Sequence, residues 1–566
     1  MSLPGAIPVS MPAVDEPTAS HQVTVSVFGP PLLAYLCAMD QETVMAGLAN
    51  PQQLTRAARE VLDVLDVLAQ QVVVSDVWDR HLVAQHFLLA PASGGCLGTT
   101  LHLRAGGVAV NSSPSASDPV KAVLVRMTVD AYPLLLLPAH RGEGMGQSLS
   151  LHGHPLGGEA LSALSSDEPL SRLFRRDAPT GGASGSYVSS LGTGGTTPQA
   201  VQFAEQVIQA AWSMARMTWP CPSLDQLVDT TVANVDRLRQ AMGKQAASVP
   251  VKLVLTGFKL PEGRSLTTPW GQLRAIEEWE REFTPEHLDH QVSGQFGEEP
   301  TTTVSFGGDV VLDTAVSLRI EVTDSPDAPS DDDWYEALRR LSPVPSLRWI
   351  VEALALGLLM VIDRPVQAWA VARLAWSWTG NPLERSTGLG WNDTRQGRSF
   401  MPYQMTESDA DGLSRWLDLI EKHRDKLPEI ATRRILSAAS ERHSASDRLV
   451  DAVIVWESLF SSNQEAGLRI SAAIAWLLHE HVADFESRKT LQKEVNGIYG
   501  VRSKVVHGSV FDGHSKFRAA DADRALELAR DVLRCVIERR PDLLSLSSTD
   551  RSVSLLLGDK LGPVEP

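Results

Sequence analysis

Hydrophobic residues recur at helical spacing along much of the chain. One early stripe, typical of an amphipathic helix over 51–71, consists of Leu54, Ala57, Val61, Leu62, Leu65 and Leu68. Similar patterns predict two helices in 200–245, a helix over 346–362, and another from Pro365 through Trp376. Toward the C-terminus the pattern predicts consecutive helices over 406–425, 428–442, 446–461, 466–483, 488–507 and 518–540. Their apolar faces fit a compact helical bundle over 440–545.

A second pattern, alternation of apolar and polar residues, predicts strands. In 315–322 the apolar positions of such a half-buried strand are Val316, Leu318, Ile320 and Val322. Further strands are expected over 120–129, 132–137, 252–258 and 302–306, with Gly307-Gly308-Asp309 as a turn. The strands after Pro250 predict a small antiparallel β region over about 250–324.

Together these patterns predict an α+β multidomain protein. A mixed α/β N-terminal region with an antiparallel β segment is expected to precede an all-α C-terminal bundle. In chain order we expect a disordered tail at 1–22, a mixed domain at 23–176, a Gly/Ser/Thr-rich linker or surface loop at 177–199, a helix pair plus antiparallel β region at 200–330, a helical connecting region at 331–439, the helical domain at 440–545 and a C-terminal tail at 546–566. Residues 380–402 are expected to form a long loop.

Composition constrains the partners of the protein. The chain has 566 residues, is 43% hydrophobic and 21% charged, as soluble globular proteins are, and has a formal net charge of -17. This acidic balance disfavours a chain coated in nucleic acid, because Lys and Arg dominate phosphate binding. The acid excess lies upstream, however, and from Glu441 to Arg540 basic and acidic residues roughly balance. A local basic pocket in the C-terminal bundle is therefore compatible with the sequence.

Cysteine use and hydropathy predict a cytoplasmic protein that does not enter a membrane. The cysteines are far apart and form no CxxC pair, so we expect buried thiols in a reducing compartment rather than disulfides or a zinc site; they are Cys37, Cys96, Cys221 and Cys535. Residues 1–22 lack a basic segment followed by an apolar one, so no secretory signal is expected. The apolar run 349–362 carries Glu352 and is too short to span a bilayer, which predicts a core helix.

Other motifs predict neither a cofactor nor a metal ion. Residues 192–197 match neither GxGxxG nor GxxxxGK[ST], and the aspartates at 331–333 are explained by helix N-capping. His152-Gly153-His154 lies in a Gly-rich loop without Cys or carboxylate ligands at metal spacing. The histidines of His479-Glu480-His481 would point apart on a helix, and the pair at 287 and 290 lacks a third ligand close in sequence. We therefore expect no metal site.

The combination that stands out is Arg502 and His507, with Ser503 and Lys504 between them. Gly508 is typical of the residue after a helix end, so the helix is expected to end at about His507. The negative end of the helix dipole favours a protonated imidazole, which suits general acid–base catalysis near neutral pH. Arg502 supplies a permanent charge and a planar fork suited to a phosphate.

The spacing of these two residues predicts a site shared between two chains. Positions i and i+5 lie about 140° apart on a straight helix, so one chain does not readily close both groups around one phosphate. Two copies packed across a symmetric interface would bring such pairs together in a composite site. The residues alone leave another interpretation open, in which Arg502 and Lys504 are solvated helix surface and His507 caps the last carbonyls.

Two stretches carry a further signal. One is Arg502-Ser503-Lys504-Val505-Val506-His507-Gly508, preceded by Tyr499, and the other is Val455-Trp456-Glu457-Ser458-Leu459-Phe460. The region 448–510 that contains them resembles the ApeA-like branch of the HEPN superfamily, whose signature is R-x(4–6)-H. Many members carry Asn, Asp or His after the arginine, where this chain has Ser503. The β region and Leu266-Thr267-Thr268-Pro269-Trp270-Gly271 also resemble the N-terminal part of such defence proteins.

The resemblance implies a helical bundle that usually dimerises and cleaves RNA without a metal ion. His507 would act in acid–base catalysis, and Arg502 would hold the phosphate and its developing charge, with the RNA 2′-OH as nucleophile. The residues that would support the site or bind RNA are Glu457, Tyr499, Ser503 and Lys504. Glu457 is expected to pair with Arg502 and orient it. Many members are toxins or effectors in anti-phage defence, and some attack tRNA.

Two function classes follow from these observations. The first is a metal-independent endoribonuclease effector of the abortive-infection type, acting on RNA as a homodimer or higher homo-oligomer, with tRNA as one candidate substrate. Its upstream part would sense an unknown activating trigger or restrain the toxic domain. The second is a non-catalytic HEPN scaffold that binds RNA or a nucleotide, or mediates assembly. The intact pair of Arg502 and His507 favours the enzyme, since a degenerate motif would favour the scaffold.

Overall fold

The computed structural model of the protein confirms the predicted α+β class. The part of the chain that it describes is 66% helical and contains a small antiparallel sheet region. The residues it describes are 19–75, 80–92, 95–109, 117–138, 149–174, 186–191, 194–196, 200–243, 245–294, 302–323, 331–362, 372–384, 402–461, 465–479, 484–507 and 519–557.

The helices occur along the whole described chain. They are α1 (Ala19–Leu36), α2 (Gln41–Ala49), α3 (Arg56–Val74), α4 (Arg80–Leu89), α5 (Leu97–Arg104), α6 (Pro119–Leu135), α7 (Gly157–Ser166), α8 (Ala200–Arg216), α9 (Leu224–Met242), α10 (Glu278–Arg281), α11 (Asp331–Leu341), α12 (Val344–Val361), α13 (Glu407–Lys422), α14 (Glu429–Leu436), α15 (Ala445–Phe460), α16 (Ala466–Leu478), α17 (Phe485–Val506), α18 (Ala519–Glu538) and α19 (Ser548–Leu557). The predicted helices at 51–71, in 200–245, at 346–362 and from 406 to 540 are confirmed, with ends shifted by a few residues.

The strands are shorter and lie mainly between α9 and α11. They are β1 (Pro91–Ala92), β2 (Gly95–Cys96), β3 (Ser186–Ser189), β4 (Gly194–Thr196), β5 (Ala247–Thr256), β6 (Phe258–Lys259), β7 (Ser265–Thr268), β8 (Gly271–Ala275), β9 (Gln291–Gly294), β10 (Thr302–Ser305), β11 (Val310–Leu318), β12 (Ile320–Thr323), β13 (Arg373–Thr379) and β14 (Tyr403–Gln404). The largest sheet has the order β13-β5-β11-β8-β7, and β8 pairs antiparallel with both β7 and β11. The predicted antiparallel β region is confirmed, including the turn before β11, where Gly308 has a positive φ of 99°.

The chain folds into two compact units. Unit 1 comprises 1–250, 316–342 and 379–389, and unit 2 comprises 251–315, 343–378 and 390–566. In unit 1, one hydrophobic core joins α1 to α9, and its fully buried members include Phe28, Leu65, Leu88 and Phe203. The helices of this unit pack because each presents an apolar stripe to its neighbours, as α8 and α9 do.

The C-terminal bundle of unit 2 is built around α15. Its predicted apolar face is completely buried, and consists of Leu449, Ala452, Val453, Trp456, Leu459 and Phe460. The helix α15 contacts α14, α16, α17, α18 and α19. The apolar stripe of α18 is also buried, so the bundle expected from the helical periodicity is present; its members are Ala525, Ala529, Val532, Leu533 and Val536.

Buried ion pairs fix α15 at its N-terminal half. Asp451, only 2% exposed, accepts hydrogen bonds from Arg434 Nη1 at 2.8 Å and from Arg442 Nε at 2.7 Å. The two arginines flank a π-helical segment over 437–441, which connects α14 to the turn before α15. A buried carboxylate needs such partners, because leaving it unpaired in the core would cost several kcal/mol, on the order of 3–5.

The strands predicted at 120–129 and 132–137 are wrong, because this region forms α6. Asp118 caps the helix by accepting hydrogen bonds from the backbone N–H groups of Val120 and Lys121, and Pro119 occupies the first helical position. Twelve of the seventeen residues of α6 are buried, so the helix is apolar on most sides. A helix buried in this way has no polar face, and its apolar run resembles that of a buried strand.

The helix predicted from Pro365 through Trp376 is also wrong where the structure describes it. Residues 372–384 are described, and within them Arg373–Thr379 form strand β13. Leu374, Trp376 and Trp378 are buried, and Trp376 Nε1 donates a hydrogen bond to the Gly307 carbonyl at 2.8 Å. These three residues are spaced two apart, as on one face of a strand. A short apolar segment also fits a helical pattern, so the sequence alone did not distinguish the two structures.

Two predicted unstructured segments contain regular structure. Within the predicted linker at 177–199, β3 and β4 form an antiparallel pair, and β3 also pairs with β12. In the predicted tail at 546–566, α19 packs against α15 and α16. The last residues of the predicted N-terminal tail, 19–22, belong to α1, and residues 1–18 lie outside the described part. Most of the predicted loop at 380–402 is likewise outside it.

One described helix, α12, is long and apolar enough to cross a membrane. It spans Val344–Val361, and 61% of it is buried inside the protein. A helix pair at His21–Leu36 and Gln41–Ala49, bent by 118°, passes the same test only as a broken span. The burial of α12 agrees with the core helix expected from the sequence, although the helix begins five residues before the apolar run 349–362 that was judged too short to span a bilayer.

Candidate functional site

The candidate site lies at the C-terminal end of α17. The helix begins with Asp484, whose carboxylate accepts hydrogen bonds from the backbone N–H groups of Glu486 and Ser487. Its buried residues are Leu491, Val495 and Ile498, spaced at i, i+4 and i+7, so one stripe anchors the helix to the bundle. The helix ends close to the expected position, with Val506 as its last residue and His507 as its C-cap.

Glu457 connects α15 to this end of α17. Its Oε1 accepts a hydrogen bond from the Tyr499 hydroxyl at 3.0 Å, and its Oε2 accepts one from Arg502 Nη2 at 3.1 Å. Tyr499 and Arg502 are three residues apart, so both project from the same side of α17. The expected pair of Glu457 and Arg502 is therefore present, and Tyr499 occupies the second carboxylate oxygen.

Arg502 is held but not closed off from solvent. The side chains of Arg502 and Glu457 are each 23% exposed. The Arg502 Nε atom is buried and has no hydrogen-bond partner among the described residues. Because only Nη2 contacts Glu457, the guanidinium keeps donors that an incoming phosphate could use.

Tyr499 is positioned by packing as well as by its hydroxyl. A Cβ atom placed on Gly467 of α16 would lie 3.2 Å from the Tyr499 ring, so the glycine allows the close approach of the ring. Burial, followed by the charge of Glu457, raises the pKa of Tyr499. The phenol therefore stays protonated at neutral pH and acts as a hydrogen-bond donor to the carboxylate.

His507 and Lys504 lie on the exposed part of the helix end. Both side chains are exposed, and Ser503 is half-buried. The backbone N–H of His507 donates to the Ser503 carbonyl at 3.1 Å, which closes the last turn of α17. No described residue forms a hydrogen bond with the His507 imidazole, and residues 508–518 lie outside the described part. The structure thus joins Glu457, Tyr499 and Arg502, while the imidazole remains available.

A second cluster of chemically active side chains, in unit 1, was not predicted. Cys96, Asp130 and His154 are all buried, and one ligand atom from each lies within 4.8 Å of the others. Cys96 Sγ is 3.9 Å from His154 Nε2, and that nitrogen is 3.4 Å from Asp130 Oδ2. The interpretation of His154 as a loop residue without nearby ligands is therefore wrong, because ligands distant in the sequence surround it.

Hydrogen bonds keep the carboxylate of this cluster ionised. Asp130 Oδ1 accepts from Thr99 Oγ1 at 2.7 Å and from the Cys96 backbone N–H at 3.3 Å. Burial alone would raise the pKa of Asp130, but bonds from His154, Thr99 and Cys96 hold it below the usual value. Burial raises the pKa of the Cys96 thiol to about 12, so it is a neutral thiol rather than a nucleophilic thiolate.

Sequence spacing gave no signal for this cluster. Its members lie on β2, on α6 and in the turn before α7, and Cys96 and His154 are 58 residues apart. Three of the cysteines are buried as expected, whereas Cys221 is exposed, and all four are free. Sequence motifs identify metal ligands only when the ligands lie within a short segment. A site that tertiary packing assembles from distant residues has no such motif.

Comparison with protein-family models, with curated proteins and with solved structures found no significant match. The residues at the end of α17 and their contacts with Glu457 are therefore the basis for assigning a function.

Proposed function

We propose that the protein is an endoribonuclease of the HEPN type, which cleaves RNA without a metal ion. The observation that supports it most directly is the arginine at the end of α17. Arg502 is oriented by Glu457, and the exposed His507 lies five residues further along the same chain. An oriented cation and a free imidazole are the two groups that phosphodiester cleavage by acid–base chemistry needs.

In the proposed reaction the RNA 2′-OH attacks the adjacent phosphorus. The 2′-oxygen forms a new bond to phosphorus, the bond from phosphorus to the 5′-oxygen breaks, and a 2′,3′-cyclic phosphate and a 5′-hydroxyl end result. His507 takes the proton from the 2′-OH, and the resulting imidazolium gives a proton to the departing 5′-oxygen, both of which suit an imidazole near neutral pH. Arg502 binds the phosphate and stabilises the charge that develops on it.

Glu457 and Tyr499 would act as positioning residues in this scheme. The carboxylate holds one side of the guanidinium, and the phenol fixes the carboxylate in turn. This orientation is built before RNA binds, so less conformational freedom is lost when the phosphate arrives. Lys504 is exposed on the last turn and would contact the RNA backbone.

We propose that the active form is a dimer or higher homo-oligomer with composite sites. Arg502 and His507 are five positions apart, which corresponds to about 140° around an ideal helix. This geometry is unfavourable for binding one phosphate with both residues of a single chain. Val506, which is next to His507, is 53% exposed, so an apolar side chain is available for a partner at the helix end. A two-fold interface there would bring an arginine of one copy toward a histidine of the other.

In cells, the proposed role is that of a cytoplasmic effector of anti-phage defence. Its substrate would be RNA, with tRNA as one candidate, and unit 1 together with the β region would respond to an activating trigger. This assignment follows from the resemblance of the region 448–510 to toxic effectors, which must be restrained until infection. A non-catalytic scaffold that binds RNA or a nucleotide is the alternative that the experiment must exclude.

The test compares the wild type with Arg502→Ala and His507→Ala in cells under the activating condition. We expect the wild type to slow growth and fragment cellular RNA, leaving 2′,3′-cyclic phosphate ends that sequencing of such ends can map. Loss of either group typically removes two to four orders of magnitude of acid–base or electrostatic catalysis, about 10²–10⁴-fold. Both variants should therefore be harmless at equal protein levels.

Lys489→Ala is the matched control, because this cation lies on the same helix, and its partners among the described residues, the carboxylate of Glu486 and the ring of Phe485, are at the exposed start of that helix. It should retain the toxicity of the wild type. If Arg502→Ala and His507→Ala fold normally and still fragment RNA as the wild type does, the nuclease assignment fails. If they retain growth inhibition without any RNA fragmentation, the scaffold function is favoured.

A further inference from the structure

The cluster of Cys96, Asp130 and His154 contains a buried carboxylate that forms no ion pair with a Lys or Arg side chain among the described residues. Asp130 is 8% exposed, and its only close ion-pair partner among the described residues is His154. Arg126 acts on it from a longer distance and is itself paired with Glu159. An ionised carboxylate in such a position is costly unless a cation compensates it.

His154 directs one ring nitrogen toward the other members of the cluster. Its Nδ1 accepts a hydrogen bond from the Leu156 backbone N–H at 3.2 Å, which leaves Nε2 facing Asp130 and Cys96. A cation bound beside Nε2 would compensate the Asp130 carboxylate.

The three ligand atoms lie within 4.8 Å of one another, and two of their separations are close to those of a zinc site. In a tetrahedral zinc site with Zn–S of about 2.3 Å and Zn–N or Zn–O of about 2.0–2.1 Å, ligand atoms lie roughly 3.4–3.6 Å apart. The observed separations are 3.4 Å between Nε2 and Oδ2 and 3.9 Å between Nε2 and Sγ. Small shifts of side chains would therefore close the three atoms around one ion.

We propose that unit 1 holds a Zn²⁺ ion on Cys96, Asp130 and His154, with the fourth position open toward a cavity. Thiolate, imidazole and carboxylate are the ligand types that zinc prefers, and three protein ligands with one open position are typical of catalytic or ligand-binding zinc sites. Asp130 lines a cavity of about 500 Å³, together with Gly95 and Thr99. The fourth ligand is a water molecule or an anionic group of a small molecule that enters this cavity.

The surroundings of the cavity fit such a ligand. Tyr35 lines it, and the Tyr35 hydroxyl is buried without a hydrogen-bond partner among the described residues. The ring of Tyr35 stacks on His102, with centroids 4.1 Å apart, which fixes its position. Gly95 also has a role, because a Cβ atom there would lie 3.1 Å from Asp130 Oδ1 and crowd the carboxylate.

Metal binding requires one local change. Coordination at Nε2 moves the ring proton of His154 to Nδ1, so the contact with the Leu156 N–H must open. His154 lies in a short turn after Gly153, which has a positive φ of 79°, and before α7. The thiol of Cys96 loses its proton to solvent when the ion binds, as coordinating thiols do.

The test uses the purified full-length chain, stripped with a chelator and reloaded with Zn²⁺ or Co²⁺. We expect about one metal ion per chain and, with Co²⁺, the intense visible bands of a four-coordinate ion with a sulfur-to-cobalt charge-transfer band. Zinc X-ray absorption of the wild type should give one sulfur at about 2.3 Å and nitrogen or oxygen at about 2.0–2.1 Å. These measurements need no variant, so they do not depend on how a mutant folds.

Cys96→Ser should abolish the charge-transfer band, and Asp130→Asn and His154→Gln should each weaken metal binding by more than about tenfold. Cys37→Ser is the matched control, since among the described residues the only hydrogen-bond partner of this buried thiol of the same unit is the Ala58 carbonyl. It should bind metal as the wild type does. A wild type that retains no metal after reloading, a zinc shell without sulfur, or an unchanged cobalt spectrum in folded Cys96→Ser would each overturn the proposal.

Discussion

Single carboxylates hold the chemically active side chains of this protein in place. Glu457 orients Arg502 from a neighbouring helix, and Asp130 accepts hydrogen bonds from three directions in unit 1. Both are partly or fully buried, so each contact is less screened by solvent than a surface ion pair. The effect of removing such a group is therefore measurable, and differs from the effect of removing an exposed acid.

At the residue scale, Glu457→Gln should lower the free energy of unfolding by about 1–2 kcal/mol. The amide keeps the size of the side chain but loses the charge that pairs with Arg502. The measurement is urea unfolding at neutral pH, alongside RNA fragmentation in cells, which should fall because the guanidinium is less well oriented. Glu494→Gln, which removes from α17 an exposed carboxylate that pairs with Arg524 of α18, should change stability by less than about 0.5 kcal/mol.

A second residue-scale prediction concerns pH. Glu280 is 2% exposed and binds Lys252 Nζ at 2.7 Å and Arg274 Nη1 at 2.8 Å. Burial alone would raise its pKa, but these cations lower the pKa from 4.5 to about 2. Because the folded pKa is depressed, this stability is fully present above pH 4.5 and is lost as the pH falls toward 2.

The loss should amount to about 3 kcal/mol, measured as the change in unfolding free energy between pH 5 and pH 2. Glu280→Gln should be less stable at neutral pH and should have a shallower acid dependence. Glu278→Gln, at a 95% exposed position of the same short helix, serves as the control and should follow the wild type. A Glu280→Gln variant with the full acid dependence of the wild type would show that other groups control it.

At the scale of elements, periodicity predicted the helices that carry the site. The stripe of α15 from Leu449 to Phe460 places Glu457 beside α17, and Gly508 indicated where α17 ends. Prediction failed for α6 and β13, because an element buried on most sides has no polar positions to reveal its period. It also failed for Cys96, Asp130 and His154, since only tertiary packing brings them together.

The helix α19 was not predicted, and its buried arginine explains why it is ordered. Arg551 is 6% exposed, and its Nε donates to the Leu543 carbonyl at 2.7 Å, with longer contacts to the carbonyls of Leu459 and Leu544. Burial lowers the pKa of Arg551, although the group remains charged at neutral pH. The helix is thus attached by polar contacts that a hydrophobic pattern does not reveal.

We therefore expect Arg551→Met to lower the unfolding free energy by about 2–3 kcal/mol, because it leaves buried carbonyls without donors. Thermal unfolding monitored by circular dichroism provides the measurement. Arg415→Met, at a 58% exposed position of α13, controls for the substitution itself and should have little effect. Equal melting temperatures for Arg551→Met and the wild type would mean that α19 does not contribute to the stability of the bundle.

At the scale of the whole molecule, the composite-site proposal makes a prediction about mixed oligomers. Co-expression of Arg502→Ala with His507→Ala should restore RNA fragmentation that neither variant has alone. With random pairing, half of the dimers are mixed and each has one of two sites intact, so about a quarter of wild-type activity is expected. The measurement is cyclic-phosphate ends in cellular RNA, at matched protein levels.

Mixing Arg502→Ala with the double variant Arg502→Ala/His507→Ala is the control, because no pairing of these chains has an arginine at the site. It should stay inactive. If each chain instead used its own Arg502 and His507, the first mixture would be equally inactive, and the site would belong to a single subunit.

The buried ion pairs of Asp451 have a consequence for substrate selection. Because Arg434 and Arg442 both hold this carboxylate, α15 resists rotation, and its backbone keeps Glu457 next to Arg502. In the proposed enzyme, an incoming phosphate would then share Arg502 with this carboxylate. Free inorganic phosphate should therefore compete poorly with RNA for Arg502. An RNA gains further contacts along the helix end, and these contacts offset the electrostatic repulsion by the carboxylate. The rigidity of one helix would in this way favour long polyanions over small ones.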